Sequence, residues 1–208
     1  MMGRIPPEVE DYLKEASFRT RTASSVKFTS TICGNEWDKF VEEWAAKCYL
    51  FVLHALGPYQ KEPLRKILSI PDGAHVAGVN ASFNPESGQI CLTPSIIQDK
   101  PGTTIEKLTH ELLHASLALF PEGDPFYEEG YVDYSVWVMA HAPTWEPYRR
   151  EMVEAATFNI ECRRDRALRN LADYDRKRWA GGLFCGLMHG PWIVTKLRAK
   201  KRETDFRW

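Results

Sequence analysis

The feature that most constrains this chain is the stretch Thr109-His110-Glu111-Leu112-Leu113-His114, set inside a segment of helical periodicity. A helix returns to the same face every four residues, so His110 and His114 stack one turn apart and both imidazoles can converge on one point. Glu111 follows His110 and points about 100° round the helix from it. That direction is poor for a further ligand of the same ion and good for a base beside it. The pattern is HExxH, whose chemistry is a tetrahedral Zn2+ held at roughly 2.0–2.1 Å by both imidazoles, with the glutamate taking a proton from water at the open position. The chain must therefore make a helix here and bring another ligand against it.

Several residues offer themselves as that ligand. Extending the pattern along the same helix fails, because Leu117 and Phe120 stand where a metzincin needs Gly and His. His141 and His189 have no supporting local pattern, and Cys91 reads as a strand cysteine between apolar neighbours. Glu129 is the best candidate, in Tyr127-Glu128-Glu129-Gly130-Tyr131-Val132-Asp133-Tyr134. It falls on the next expected helix, so two antiparallel helices would present ligands to one point. Asp133, one turn further on, could accept the free ring N–H of a ligand histidine and fix its orientation. Glu128 competes with Glu129 but faces about 100° away, and its partner four residues on is Val132.

The surrounding pattern is helix-rich. Helices are expected at 7–18, at 36–56 up to Gly57-Pro58, at 103–119, at 125–141 and over 145–179 up to Gly181-Gly182. Thr103 and Glu106 have capping-box spacing, and Asp124-Pro125 looks like an N-cap followed by a first helical residue. Residues 76–83 and 89–92 read as two strands joined through Asn84-Pro85-Glu86-Ser87-Gly88, a hairpin turn. Residues 19–34 and 93–102 read as irregular connections, and 183–197 are apolar enough to pack back on the body. The expected class is α+β: one mostly helical domain spanning 1–208, with a small antiparallel sheet and an edge strand before the HExxH helix. The motif core covers about 76–139, and a C-terminal helical part covers 144–208.

Composition narrows the function classes. With 208 residues the chain suffices for one ordinary core, and a net charge of -1 calls for neither nucleic acid nor an anionic membrane as partner. The basic residues from Lys196 to Arg202 are answered by Glu203 and Asp205 and read as a solvated tail. No stretch is long and apolar enough to span a bilayer, and the first residues lack a signal-peptide pattern. The 5 cysteines are odd in number and show no CxxC pairing, so free thiols in a reducing compartment, the cytoplasm, are expected.

His110-Glu111-x-x-His114 followed by Glu129-x-x-x-Asp133 resembles the gluzincin clan of zinc metallopeptidases, the thermolysin-like group, in its small single-domain form. The resemblance covers about residues 76–139. It implies a zincin-like fold, zinc on His110, His114 and Glu129, Glu111 as general base, and Asp133 supporting a ligand histidine. It further implies a peptide or protein substrate that adds as a strand to the edge around 78–92, and an oxyanion-stabilising His or Tyr among His189, Tyr148 and Tyr174. Two rival expectations stand beside it. One is a zinc-containing binding or regulatory protein of the same fold, with Cys91 or His189 closing the coordination sphere. The other is a metal-free helical interaction protein using the Trp and Arg residues of 145–179.

Overall fold

The computed structural model describes residues 5–32, 34–70, 80–97, 100–117 and 125–170, together with Ala180 and Leu183. Its first helix, α1 (Pro7–Thr22), starts on a proline, whose missing N–H would have no helical partner there. Glu8 and Glu10 sit in its first turn and Arg19 and Arg21 in its last, matching the helix dipole. The helix overruns the expected end at residue 18. The hydroxyls of Ser17, Thr20 and Thr22 donate back to the carbonyls of Leu13, Ala16 and Phe18, so these polar residues stay helical.

The segment expected to be irregular contains a two-residue strand, β1 (Thr29–Ser30), ahead of the long helix α2 (Asn35–Leu56). Asp38, in the first turn of α2, joins the two. One carboxylate oxygen accepts from the Ser30 hydroxyl and the Ile32 N–H, both at 2.8 Å, and the other from the Gly34 N–H at 2.9 Å. α2 stops at Gly57, whose φ of 84° suits glycine and whose N–H donates to the Leu53 carbonyl.

Three more strands follow: β2 (Lys66–Ser69), β3 (Ala81–Asn84) and β4 (Gln89–Leu92). The sheet order is β1-β2-β4-β3, and only the β3–β4 pair is antiparallel. β2 runs parallel to both β1 and β4, so the expected small antiparallel sheet is in fact a mixed one. The reason is topological: α2 carries the chain back between β1 and β2, a crossover that makes parallel pairing reachable. The β3–β4 hairpin forms where the turn residues place it. The Asn84 side-chain oxygen accepts from the N–H groups of Glu86 and Ser87, and Gly88 closes the turn at a φ of 72°.

A short helix, α3 (Pro94–Ile97), replaces the expected loop, and α4 (Pro101–Leu117) begins at Pro101, two residues before Thr103. The capping box at Thr103 therefore does not start the helix. Proline takes the first position, and Glu151 from the following part of the chain accepts the Gly102 N–H at 3.0 Å. α5 (Pro125–Met139) comes next, then a 3-10 turn (Pro143–Trp145) and α6 (Arg149–Asn170). The expected Asp124 N-cap, strand residues 76–79 and most of the chain beyond 170 lie outside the described residues.

The class is α+β, mostly helical with one small sheet. α4 runs through the middle of it: Ile105, Leu108, Leu112 and Leu113 are fully buried, and α2, α5, α6 and β3 all pack against this helix. One apolar cluster takes in residues from α1 through α6. Burial of most of its circumference is why the polar residues of α4 need partners within the protein. No helix among the described residues is long and apolar enough to cross a membrane.

Candidate metal centre

On α4, His110 and His114 lie four residues apart and face α5, which carries Glu128, Glu129 and Asp133. The two rings meet edge to face, with centroids 4.9 Å apart. Their Nε2 atoms are 3.1 Å apart. Glu129 spans the pair, one carboxylate oxygen 3.4 Å from His110 Nε2 and the other 3.3 Å from His114 Nε2. The Nδ1 atoms point the other way, also toward carboxylates: His110 to Asp133 at 3.6 Å, His114 to Glu128 at 2.7 Å.

Two observations test whether these residues fit a metal. The first is spacing. An ion bound tetrahedrally at about 2.05 Å separates its ligands by about 3.3 Å, and the three separations here bracket that value. The second is charge and lone pairs. With each ring's proton on Nδ1, the nitrogen nearer a carboxylate, the Nε2 lone pairs would face each other and Glu129, an arrangement that repels itself until a cation or proton enters. Burial opposes charge on His114, but Glu128, Glu129 and Glu111 outweigh it, and the ring pKa is pushed up to about 10. His110, Nδ1 buried and without a hydrogen bond, lies just outside bonding range of Asp133. His110, His114 and Glu129 could hold a metal ion.

Exposure is graded across the centre. The side chains of Asp133 and His110 are 1% and 4% exposed, that of His114 is 16% and that of Glu129 is 32%, so solvent reaches the donors from the Glu129 side. Glu111 is itself buried, and its charge acts on His114 and on the thiol of Cys91.

The structure brings together His110, His114, Glu129 and Asp133, and adds Glu128, which sequence reasoning weighed only as a rival ligand. A signal for it existed. In antiparallel helices, positions before Glu129 approach the later histidine while those after it approach the earlier one, so the Glu128-Glu129 doublet could supply both a ligand and a support. Other candidates are elsewhere. Cys91 does not join the donor group, and burial, then the charge of Glu111, pushes its thiol pKa up. His141 Nδ1 lies 2.9 Å from the Trp137 carbonyl, and the ring packs on Trp137. The Tyr148 ring packs edge-on against Phe40 and Trp44. Tyr174 and His189 lie outside the described residues. No protein-family model matches the chain, and no curated protein or solved structure matches it either.

Proposed function

We propose that this chain is a gluzincin-type zinc metallopeptidase, in which His110, His114 and Glu129 hold the metal and Glu111 serves as general base. The observation that carries the reading is the spacing of three donor atoms at tetrahedral edge lengths, with a buried carboxylate adjacent in sequence to the first of them. Two imidazoles and one carboxylate suit zinc, and among the described residues no fourth side chain joins them. A sphere with three protein ligands keeps one position for substrate or water, which favours a catalytic over a purely structural centre.

Zinc bound there would supply Lewis acidity, polarising a scissile carbonyl and drawing the pKa of a water toward about 7. The rest falls to the chain. Glu111 lies beside the donors and not among them, so its carboxylate can take the proton of the attacking water and return it to the leaving amine. Asp133 stands 3.6 Å behind His110 Nδ1, and its charge favours a proton on that nitrogen, which leaves Nε2 to the donors. Peptide substrates are supported by the sheet. β3 packs against α4, is an edge strand, and pairs only with β4 among the described residues, so an extended peptide has a backbone edge to pair with.

The test is metal quantification and peptide hydrolysis on the wild type, Glu129→Ala and Glu111→Gln. The wild type is expected to hold one zinc and Glu129→Ala to lose it. Glu111→Gln should keep zinc and lose hydrolysis by about 10²–10⁴-fold. Zinc undiminished in Glu129→Ala, or substantial turnover in Glu111→Gln, refutes the assignment of the corresponding residue.

A further inference from the structure

We infer that Glu128 is a positioning residue of the metal centre, holding His114 with Nε2 toward Glu129 and His110 and so placing a carboxylate behind each histidine. The inference rests on the metal reading above and adds a residue to it. An imidazole can present either nitrogen, and the one that faces the metal is set by the partner of the other. For His110 that choice is made largely by packing: its side chain is 4% exposed and Asp133 stands off at 3.6 Å. His114 is in a different position. Its side chain is 16% exposed, so packing restrains it less, and it has the shorter contact, 2.7 Å to Glu128.

Glu128 does not compete for the ion in this arrangement. Its contact is with Nδ1, on the far side of the ring from the Nε2 atoms and Glu129 that form the donor group. The neighbouring glutamates thus divide the work, Glu129 toward the donors and Glu128 behind His114. Asp133, one turn along α5 from Glu129, stands behind His110 at the longer distance of 3.6 Å. Both rings are then oriented before an ion arrives, and the donors already stand at the spacing it needs.

The experiment is zinc affinity, measured on the full chain by competition with a chromogenic chelator, for the wild type, Glu128→Ala and Glu128→Gln. Thermal melting of the metal-free proteins runs alongside, and Co2+ absorption reports the coordination geometry. Glu128→Ala should bind zinc 10–100-fold more weakly, with a changed Co2+ spectrum, measured below a metal-free melting temperature that falls with the loss of the Glu128–His114 contact. Glu128→Gln keeps an acceptor for Nδ1–H and should recover most of the affinity. Should the alanine variant fail to fold, the glutamine variant decides: folded and close to wild-type affinity supports the role, folded and without zinc overturns it. Equal zinc affinity in the wild type and Glu128→Ala also overturns it while leaving the metal reading intact. A wild type that binds no zinc instead sinks the metal reading itself.

Discussion

Gly102 is where α4, the helix that carries the candidate centre, crosses the start of α6, and replacing it by alanine sets two effects against each other. Alanine is the better helix former, worth up to about 1 kcal/mol in a helix interior. The crossing opposes this. A Cβ on residue 102 would lie 2.3 Å from Glu151 Cβ and 2.6 Å from the Met152 backbone nitrogen. Carbon atoms rest about 3.5–4.0 Å apart, so the helices would have to separate by about 1.2 Å or more. Overpacking of that kind costs about 1–3 kcal/mol. Separation also strains the bond from the Gly102 N–H to the Glu151 carboxylate, a charged contact worth about 1.5–3 kcal/mol. Packing wins, and Gly102→Ala should be destabilised by about 2–5 kcal/mol net. Urea denaturation followed by circular dichroism measures this directly. His110 lies about two turns along the helix, so zinc affinity of the folded variant should change little. A variant as stable as the wild type would mean the crossing is looser than described and the propensity gain is realised.

Three other outcomes follow from single residues. In the metal-free protein the His114 pKa, raised to about 10, contributes stability that is fully present below pH 6.5 and lost as pH rises through 10; the stability difference between wild type and His114→Gln should therefore shrink over that range in denaturation curves at stepped pH. Asp38→Ala removes the acceptor for Ser30, Ile32 and Gly34 and should cost about 2–3 kcal/mol, visible as a lower urea midpoint; an unchanged midpoint would refute the linking role. Burial pushes the Cys48 thiol up to about 12, so alkylation of the native protein at pH 8 should spare Cys48 and label it only after unfolding, as peptide mass mapping would detect.

What was legible in the sequence was what local spacing encodes. The His110–His114 repeat, the Glu129–Asp133 repeat and the Asn84–Gly88 turn each need only a few neighbouring residues to declare themselves, and the structure brings the four site residues together. β1 and β2 were not legible, because strands of two and four residues acquire their identity from parallel partners distant in sequence. The start of α4 was misplaced for a related reason. Its Thr103-x-x-Glu106 pattern suits a cap, but Glu106 is buried with Lys107 at 3.2 Å, and the acceptor at the helix start comes from α6. Glu128 is legible only as a rival to Glu129, because its face within α5 does not reveal that it meets His114 on the neighbouring α4.

The donors of the candidate centre all come from two helices consecutive in the chain, whereas β1 and β2 pair across the whole of α2. An ion held by His110, His114 and Glu129 would therefore close a loop about half as long as the one closed by β1 on β2, an entropic advantage of about 0.6 kcal/mol. An ion captured during folding would pin α5 to α4 without requiring the sheet to be complete. Refolding in the presence of zinc should then speed acquisition of the α4–α5 pair while leaving the slower sheet assembly to set the final rate.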